Sequence, residues 1–460
     1  MRSRDACVGL GAPLWPLLKK ELWEILSGRA LWTMLLILCP LVGYSFFQAV
    51  SLYGEASSGA QQSPALASGL SPLDGVLVPT LGAFYVAVTL LFPFVAIRVL
   101  GQEKESGALR LLIQLPYRPP TLIVAKLAAV LGAWLISTVP AISALVIWEL
   151  LGGHLYALET LNLVFGHLLY GLLVGAIALF AASISESAAS AAIIALAFTI
   201  GSWVLDFTVA GQPGLLDWLS RLSLTQTLRS FEQGLLSAGL VIGITAAIFG
   251  FSALAAVWMP PGVPVFSKLV RSIGCIAVVA TIVTAGAQIK MSVDATEDRR
   301  NSFPTADQHA LARLKAQLAI TIHLAPEDPR YVDFRRNIVS KLERTLPSVA
   351  IHLAGDQRSV IGQAGDESYG EIEYTYAGRS AMSRSTSNVE VLPLLYDLAG
   401  MSPPAPDAGD DYRGYPLVAN AGMALPWFFG ALPLLVVIAW SWSRRPPVHQ
   451  LQPKQTGGQS

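Results

Sequence analysis

In 460 residues this chain is 53% apolar and only 13% charged, and its 31 basic and 31 acidic side chains cancel. Soluble domains carry about 25% charged residues, so a single soluble globule is excluded. The balance also leaves no basic footprint for nucleic acid.

Eight stretches contain no Asp, Glu, Lys or Arg: Ala30–Val50, Gly75–Ile97, Leu127–Trp148, Thr160–Ile184, Ser187–Leu205, Leu235–Met259, Ser272–Ile289 and Ala421–Trp442. Each approaches or exceeds the roughly 18–20 residues a spanning helix needs, which predicts a polytopic α-helical membrane protein. The first run follows residues 1–29 and is of spanning length, so it is expected to remain as the first helix and not be removed as a signal peptide. Pro40, Pro79, Pro93 and Pro140 fall inside spans, where neighbouring helices satisfy the freed carbonyls. They predict a packed bundle. Cys7, Cys39 and Cys275 form no disulfide framework or metal spacing, and Cys39 and Cys275 read as small buried hydrophobes.

Counting Lys and Arg on alternate sides of the spans sets the orientation. Residues 1–29, 98–126, 185–186, 260–271 and 443–460 hold 15, whereas the short loops 51–74, 149–159 and 206–234 hold two, Arg221 and Arg229. Both termini are then expected on the cytoplasmic side. The block Lys290–Asn420, with 14 of the basic and 18 of the acidic residues, is expected outside as a solvated domain.

Before the first span, Pro16–Arg29 reads as an amphipathic helix along the cytoplasmic interface. Leu18, Leu22, Ile25 and Leu26 share a face, Lys19, Lys20, Glu21 and Glu24 lie on others, and Trp15 and Trp23 suit the headgroup layer. The alternative is a plain extension of the first span.

The loop after the second span, RVLGQEKESGALRLLIQLPYRPP from Arg98, holds the strongest chemical signal. Gln102, Glu103 and Glu105 precede Ser106-Gly107; an amphipathic turn then carries Leu109, Arg110, Leu112 and Ile113 until Pro116 stops it. Such a loop offers a rigid knob with charges at its rim. The pattern resembles the E-x-x-x-G-T-L-x-x-L-L-x-x-P signature of the permeases of type-2 ATP-binding-cassette (ABC-2) transporters, with Ala108 where Thr is usual and Lys126 matching the family's frequent lysine before the third helix. The resemblance covers residues 16–259. It implies a six-helix permease core over 30–259, an elbow helix over 1–29, and a coupling loop over 98–120 that docks in a separate ABC ATPase. On that reading Gln102, Glu103, Glu105, Gly107, Leu109, Arg110, Leu112 and Pro116 are the ATPase-coupling residues.

Between the fifth and sixth spans, Leu215–Leu236 mixes Trp218, Leu219, Leu222, Leu228 and Phe231 with Arg221, Arg229 and Glu232. The same resemblance implies short outer helices near an export path, and an ordinary interfacial loop is the alternative. His167 is the ionisable residue within a span, where polar groups usually face a bundle interior or cavity; a satisfied place between helices, or one close to an interface, is the alternative. His167, Trp218 and Phe231 are the candidate residues of the transport path.

The block 290–420 predicts a small extracytoplasmic α/β domain: a helix over Thr305–Ala316 capped by Thr305, a strand over Ala319–Leu324, a helix over Arg330–Leu346, and a strand over Val349–Leu353. Gly370–Tyr376 and Val389–Leu395 are read as further strands. With Asp298-Arg299-Arg300 and HLAPEDPRYVDFRRNIVSKLERTLP, the block resembles the N-terminal part of the auxiliary component of gliding-motility-type ABC transporters. The larger second portion of that family is missing here. Pro403–Gly414 reads as a tether to the eighth span, 421–442, and 443–460 as a disordered cytoplasmic tail.

Catalytic patterns are missing from the chain. It carries no G-x-x-x-x-G-K-[ST], G-x-S-x-G or H-E-x-x-H, so ATP and Mg are expected on the partner ATPase, and no cofactor or metal in this chain. His323 and His352, in neighbouring predicted strands, and the acidic group Asp407, Asp410 and Asp411 are read as solvated. Expected partners are the ATPase, a second permease copy in a homodimer, and membrane lipid; the expected location is a bacterial inner membrane, with the block in the periplasm. A structural or sensory membrane anchor is the competing reading, and an intramembrane enzyme a third.

Overall fold

The protein's computed structural model describes residues 14–60, 63–115, 117–209, 223–289, 291–325, 328–353, 369–405 and 412–444. Pro116, Trp218, Leu219, Arg221, Leu222, Asp407, Asp410, Asp411, Cys7 and nearly all of the C-terminal tail lie outside the described residues.

An elbow helix, α1 (Leu14–Ser27), leads at Gly28 into the first span, α2 (Ala30–Ala60), and the second span, α3 (Leu73–Glu105), descends to a seven-residue helix, α4 (Ala108–Gln114). The third span is α5 (Pro119–Leu150), the fourth α6 (Ala157–Ile184), and the fifth α7 (Ala188–Val209). A short helix, α8 (Leu224–Glu232), precedes the sixth and seventh spans, α9 (Ala238–Trp258) and α10 (Val265–Ala287). In the C-terminal block lie α11 (Thr305–Leu311), α12 (residues 329–345) and α13 (Asn388–Ala399), and the last span is α14 (Ala421–Ser443).

Seven of the eight expected spans are helices long and apolar enough to cross a bilayer. In α7 the described apolar stretch is Ala188–Val204. The fourth span is the hub. It packs against α3, α5, α7, α8 and α9, and 72% of its apolar window is buried. Small residues permit the approach: a Cβ on Gly171 would meet the Trp134 indole at 2.2 Å, and one on Gly166 would meet Phe231 at 2.4 Å. The seventh span packs on the sixth and the eighth on the first, with only 11% and 28% of their windows buried, so both are peripheral to the six-helix core.

The α/β block is a four-stranded sheet in the order β4-β3-β5-β6: β3 (Leu318–Ile322), β4 (Val349–Leu353), β5 (Ile372–Tyr376) and β6 (Arg379–Ser383). A separate two-stranded ribbon joins β1 (Leu235–Ser237) to β2 (Ser292–Asp294). Parallel pairing of β3 with β4 across α12 makes the expected βαβ unit, and β5 pairs antiparallel to β3. Ile320, Ile351, Tyr374 and Ala381 stand in register. That row belongs to the face that packs on Phe334, Leu342, Val391 and Leu395.

Three local expectations are corrected. Val389–Leu395 is helix, not strand: Ser387 Oγ accepts from Val389 N, Gly400 terminates α13 at φ 68°, and Val391, Leu392, Leu395, Tyr396 and Leu398 bury one helical face. Valine at its start suggested a strand, but the spacing is helical. The helix at Thr305 ends at Leu311, short of Ala316, and Thr305 is its first helical residue, with Pro304 in the cap position. Finally, Glu21 lies on the buried face of α1 with Leu17 and Ile25, for the electrostatic reason below.

Candidate functional site

A lysine near the start of an apolar helix is expensive unless its charge is met. Lys126, three residues into the buried part of α5, is 1% exposed, as is Glu21, and Glu103 is 3% exposed. The Lys126 ammonium donates to both Glu21 carboxylate oxygens at 3.0 Å and to the Val99 carbonyl at 2.9 Å, and lies 2.6 Å from Glu103 Oε2. Lys20 completes the group by pairing with Glu103 and, at 3.2 Å, with Glu24. Carboxylate oxygens of Glu21, Glu24 and Glu103 converge within 4.8 Å, and the two ammoniums offset two of their three charges. Burial lowers the proton affinity of Lys20, but the hydrogen bond to Glu103 and the nearby carboxylates outweigh it and raise its pKa above the ordinary lysine range. Burial raises the Glu21 carboxyl above its ordinary value, with the Lys126 charge opposing. The cluster clamps the elbow, the lower end of α3 and the start of α5 together.

Successive residues on a helix point about 100° apart, and Glu103-Lys104-Glu105 uses that divergence. Glu103 faces α1 and α5. Lys104 turns to the end of α6, where its ammonium donates to the carbonyls of Ala182, Ser183 and Ser185 at 2.7, 2.6 and 2.9 Å, capping the helix's free acceptors with a cation. Glu105 Oε1 accepts from Ala188 N at 3.4 Å, at the start of α7. Three adjacent side chains therefore grip four different helices.

Just beyond, Gly107 at φ 76° reverses the chain, a conformation that favours glycine, and α4 projects as a knob. Leu109 is buried against the core, Leu112 is half-buried, and Gln102 and Arg110 are exposed. Leu111 is 67% exposed and Leu115 46%. These two leucines offer the apolar contact surface, and periodicity alone did not single them out. Lys20, Glu21, Lys104 and Lys126 were likewise missed as site residues; the one available signal was Lys126 standing at the mouth of an apolar run.

Lys104→Met would remove three charge-assisted bonds while leaving the knob's surface intact. The expected result is a helical core destabilised by about 1.5–3 kcal/mol, read by thermal unfolding in detergent.

At the opposite end of the bundle, the α/β block is joined to all three short loops of the core. Loop 5–6 supplies β1, which pairs with β2 from Leu235 opposite Asp294 to Ser237 opposite Ser292. Ala295 N donates to Gly234 O at 2.8 Å and Asn301 Nδ2 to Gln233 O at 2.7 Å. Glu297 N donates to Glu159 Oε1 at the start of α6 at 2.9 Å, and the Glu297 carboxylate meets His154 Nε2 at 2.8 Å. Arg300 pairs with Asp298 at 2.9 Å and with Asp74 in the first turn of the second span. The returning chain adds Tyr415, whose ring stacks on His154 at 3.6 Å and whose hydroxyl donates to Glu297 Oε1 at 2.5 Å. That acceptor pushes the Tyr415 pKa up to about 12, so the hydroxyl keeps its proton at neutral pH. Tyr53 OH donates to Tyr415 O at 2.7 Å, and Leu417 N to Ser57 Oγ at 3.0 Å. The block is stitched into the mouth of the core.

His167 and Phe231 sit on the hub helix and on α8. His167 is 2% exposed, packs beside Phe84 with ring centres 6.0 Å apart, and its Nε2 finds no hydrogen-bond partner among the described residues. Phe231 is fully buried against Gly166, and its carbonyl accepts from Asn162 Nδ2 at 3.0 Å. Both are packed within the bundle. Their neighbour in the reading, Trp218, is outside the described residues. His323 follows β3, and His352 in β4 pairs with Thr321, so both histidines lie on the face away from the core.

Residues 15–233 match the model of a family described as ABC-2 family transporter protein; no curated protein and no solved structure matches the chain. The match ends at Gln233, immediately before the ribbon that ties the core to the α/β block. The helical region over residues 15–233 is thus similar to the ABC-2 family transporter proteins.

Proposed function

We infer that this protein is the permease subunit of an ABC-2 transporter, powered by a separate cytoplasmic ATPase, with residues 290–420 forming an extracytoplasmic domain built into its outer mouth. The observation that carries this reading is the knob Ala108–Gln114 standing on Glu103-Lys104-Glu105. A push on Leu111 and Leu115 would move α3 and, through three grips, the elbow, α5, α6 and α7 together. The fourth span would carry that motion outward to Glu159 and Asn162, which hold the α/β block and α8. A homodimer supplying two knobs to two nucleotide sites, and export of an apolar or lipid-linked cargo, follow from the family resemblance. A structural or sensory anchor would have no use for an exposed apolar knob so braced.

Leu111→Asp with Leu115→Asp is the decisive variant, because both side chains are exposed and the bundle does not depend on them. Co-purification with the cognate ATPase subunit should be lost while thermal stability of the permease stays unchanged. Undiminished co-purification would overturn the transporter reading.

A further inference from the structure

The sixth and seventh spans meet through small residues: a Cβ on Gly239 would lie 2.5 Å from the Gly286 carbonyl oxygen, and one on Gly250 would lie 2.6 Å from Val279. Beside this seam runs a groove of about 790 Å³. It extends from Val241 and Ile282 to Val257 between apolar walls, and Arg271 is the one charged side chain among its described lining residues. Arg271 is exposed, on the second turn of α10. The same level carries a lysine and an indole: Lys268 Nζ donates to Trp258 O at 3.0 Å and lies 5.6 Å from the Trp258 ring centre, while Trp258 Nε1 donates to Ser272 Oγ at 2.9 Å. Indole rings and lysines collect where hydrocarbon gives way to headgroups.

We propose that the α9–α10 groove binds an anionic phospholipid, one acyl chain along the apolar trough and the phosphate on Arg271. The trough suits a long apolar chain, and the guanidinium fork suits phosphate oxygens. A second copy seated on the same groove about a two-fold axis along the membrane normal would bring the two Arg271 side chains to the same depth on one seam, a like-charge approach. The leaflet rests on the topology proposed above, which puts Arg271 on the cytoplasmic side, where anionic lipids concentrate.

Native mass spectrometry of the detergent-purified full chain, offered equal phosphatidylglycerol and phosphatidylcholine, tests the site. The wild type should retain phosphatidylglycerol preferentially, and Arg271→Gln should reduce that preference about fivefold. Ala253→Phe, which fills the trough, should reduce retention of both lipids, with a melting curve confirming that each variant is folded. An unchanged preference in Arg271→Gln overturns the proposal. So does a Cys275–Cys275 dimer formed by oxidation in membranes, in a Cys7→Ser, Cys39→Ala background, because Cys275 lines the groove and its pairing would assign the surface to a second copy. Neither readout involves the ATPase, so failure here and failure of the transporter reading are distinguishable.

Discussion

Lys126→Met is expected to destabilise the helical core by about 3–5 kcal/mol, the cost of leaving buried charges uncompensated. The methionine fills a similar volume, so the loss isolates charge from packing. Glu21 and Glu103, at 1% and 3% exposure, would keep only Lys20 as a counter-charge. Thermal unfolding in detergent measures the loss. The sign of its pH dependence is a second check. Burial already raises the Glu21 carboxyl, and removing the ammonium raises it further, so the folded variant binds protons that the unfolded chain does not. Stability of Lys126→Met should therefore recover as pH falls through that raised value toward the ordinary carboxylate pKa, and be lost again as pH rises through it. Adding Glu21→Gln and Glu103→Gln should restore most of the loss at neutral pH, since neutralising a whole buried cluster is often close to neutral. If Lys126→Met melts like the wild type, the cluster does not clamp the elbow.

Gly234→Val is expected to open the ribbon that joins the core to the α/β block. At φ 78° a β-branched residue is strained, and its Cβ would stand 2.1 Å from Thr296 Cγ2. The sheet β4-β3-β5-β6 shares no strand with the ribbon, so the block should stay folded. Hydrogen exchange reads this directly: amides of Leu235–Ser237 and Ser292–Asp294 should exchange about 10- to 100-fold faster, with those of β3 and β5 unchanged. Thr296→Ala in the same chain would relieve the clash but not the backbone strain, so partial recovery is expected. Uniform loss of protection across the block would show that the ribbon holds the domain's fold and not only its attachment.

Both variants act on joints that pattern reading approached from one side only. The amphipathic elbow was legible in Leu18, Leu22, Ile25 and Leu26, yet Glu21 was assigned to a polar face because its partner lies 105 residues away. The knob was legible from Gly107 and the leucines that follow it. Which leucines face outward was not, since Leu109 and Leu111 differ only in what packs beside them. In the α/β block, alternation located β3 and β4 and the helix between them. It misread 389–395 because Val389 and Val391 suit a strand locally, while a cap at Ser387, a stop at Gly400 and an apolar face every three to four residues favour a helix.

The two spans that connect the α/β block are peripheral, but its first residues and its returning chain bind the loops after the first, third and fifth spans. The block is joined mechanically to that end of the core.

By itself the sequence determined the membrane class, seven of the eight expected spans and the position of the knob. A bilayer demands long uncharged helices whatever packs around them, and glycine and proline announce chain reversals locally. Only the tertiary structure decided which charges meet. Lys126 is recognisably costly in the sequence, but the carboxylates that balance it come from the elbow and the second span, and only the packing of three helices brings them within 3 Å of its ammonium.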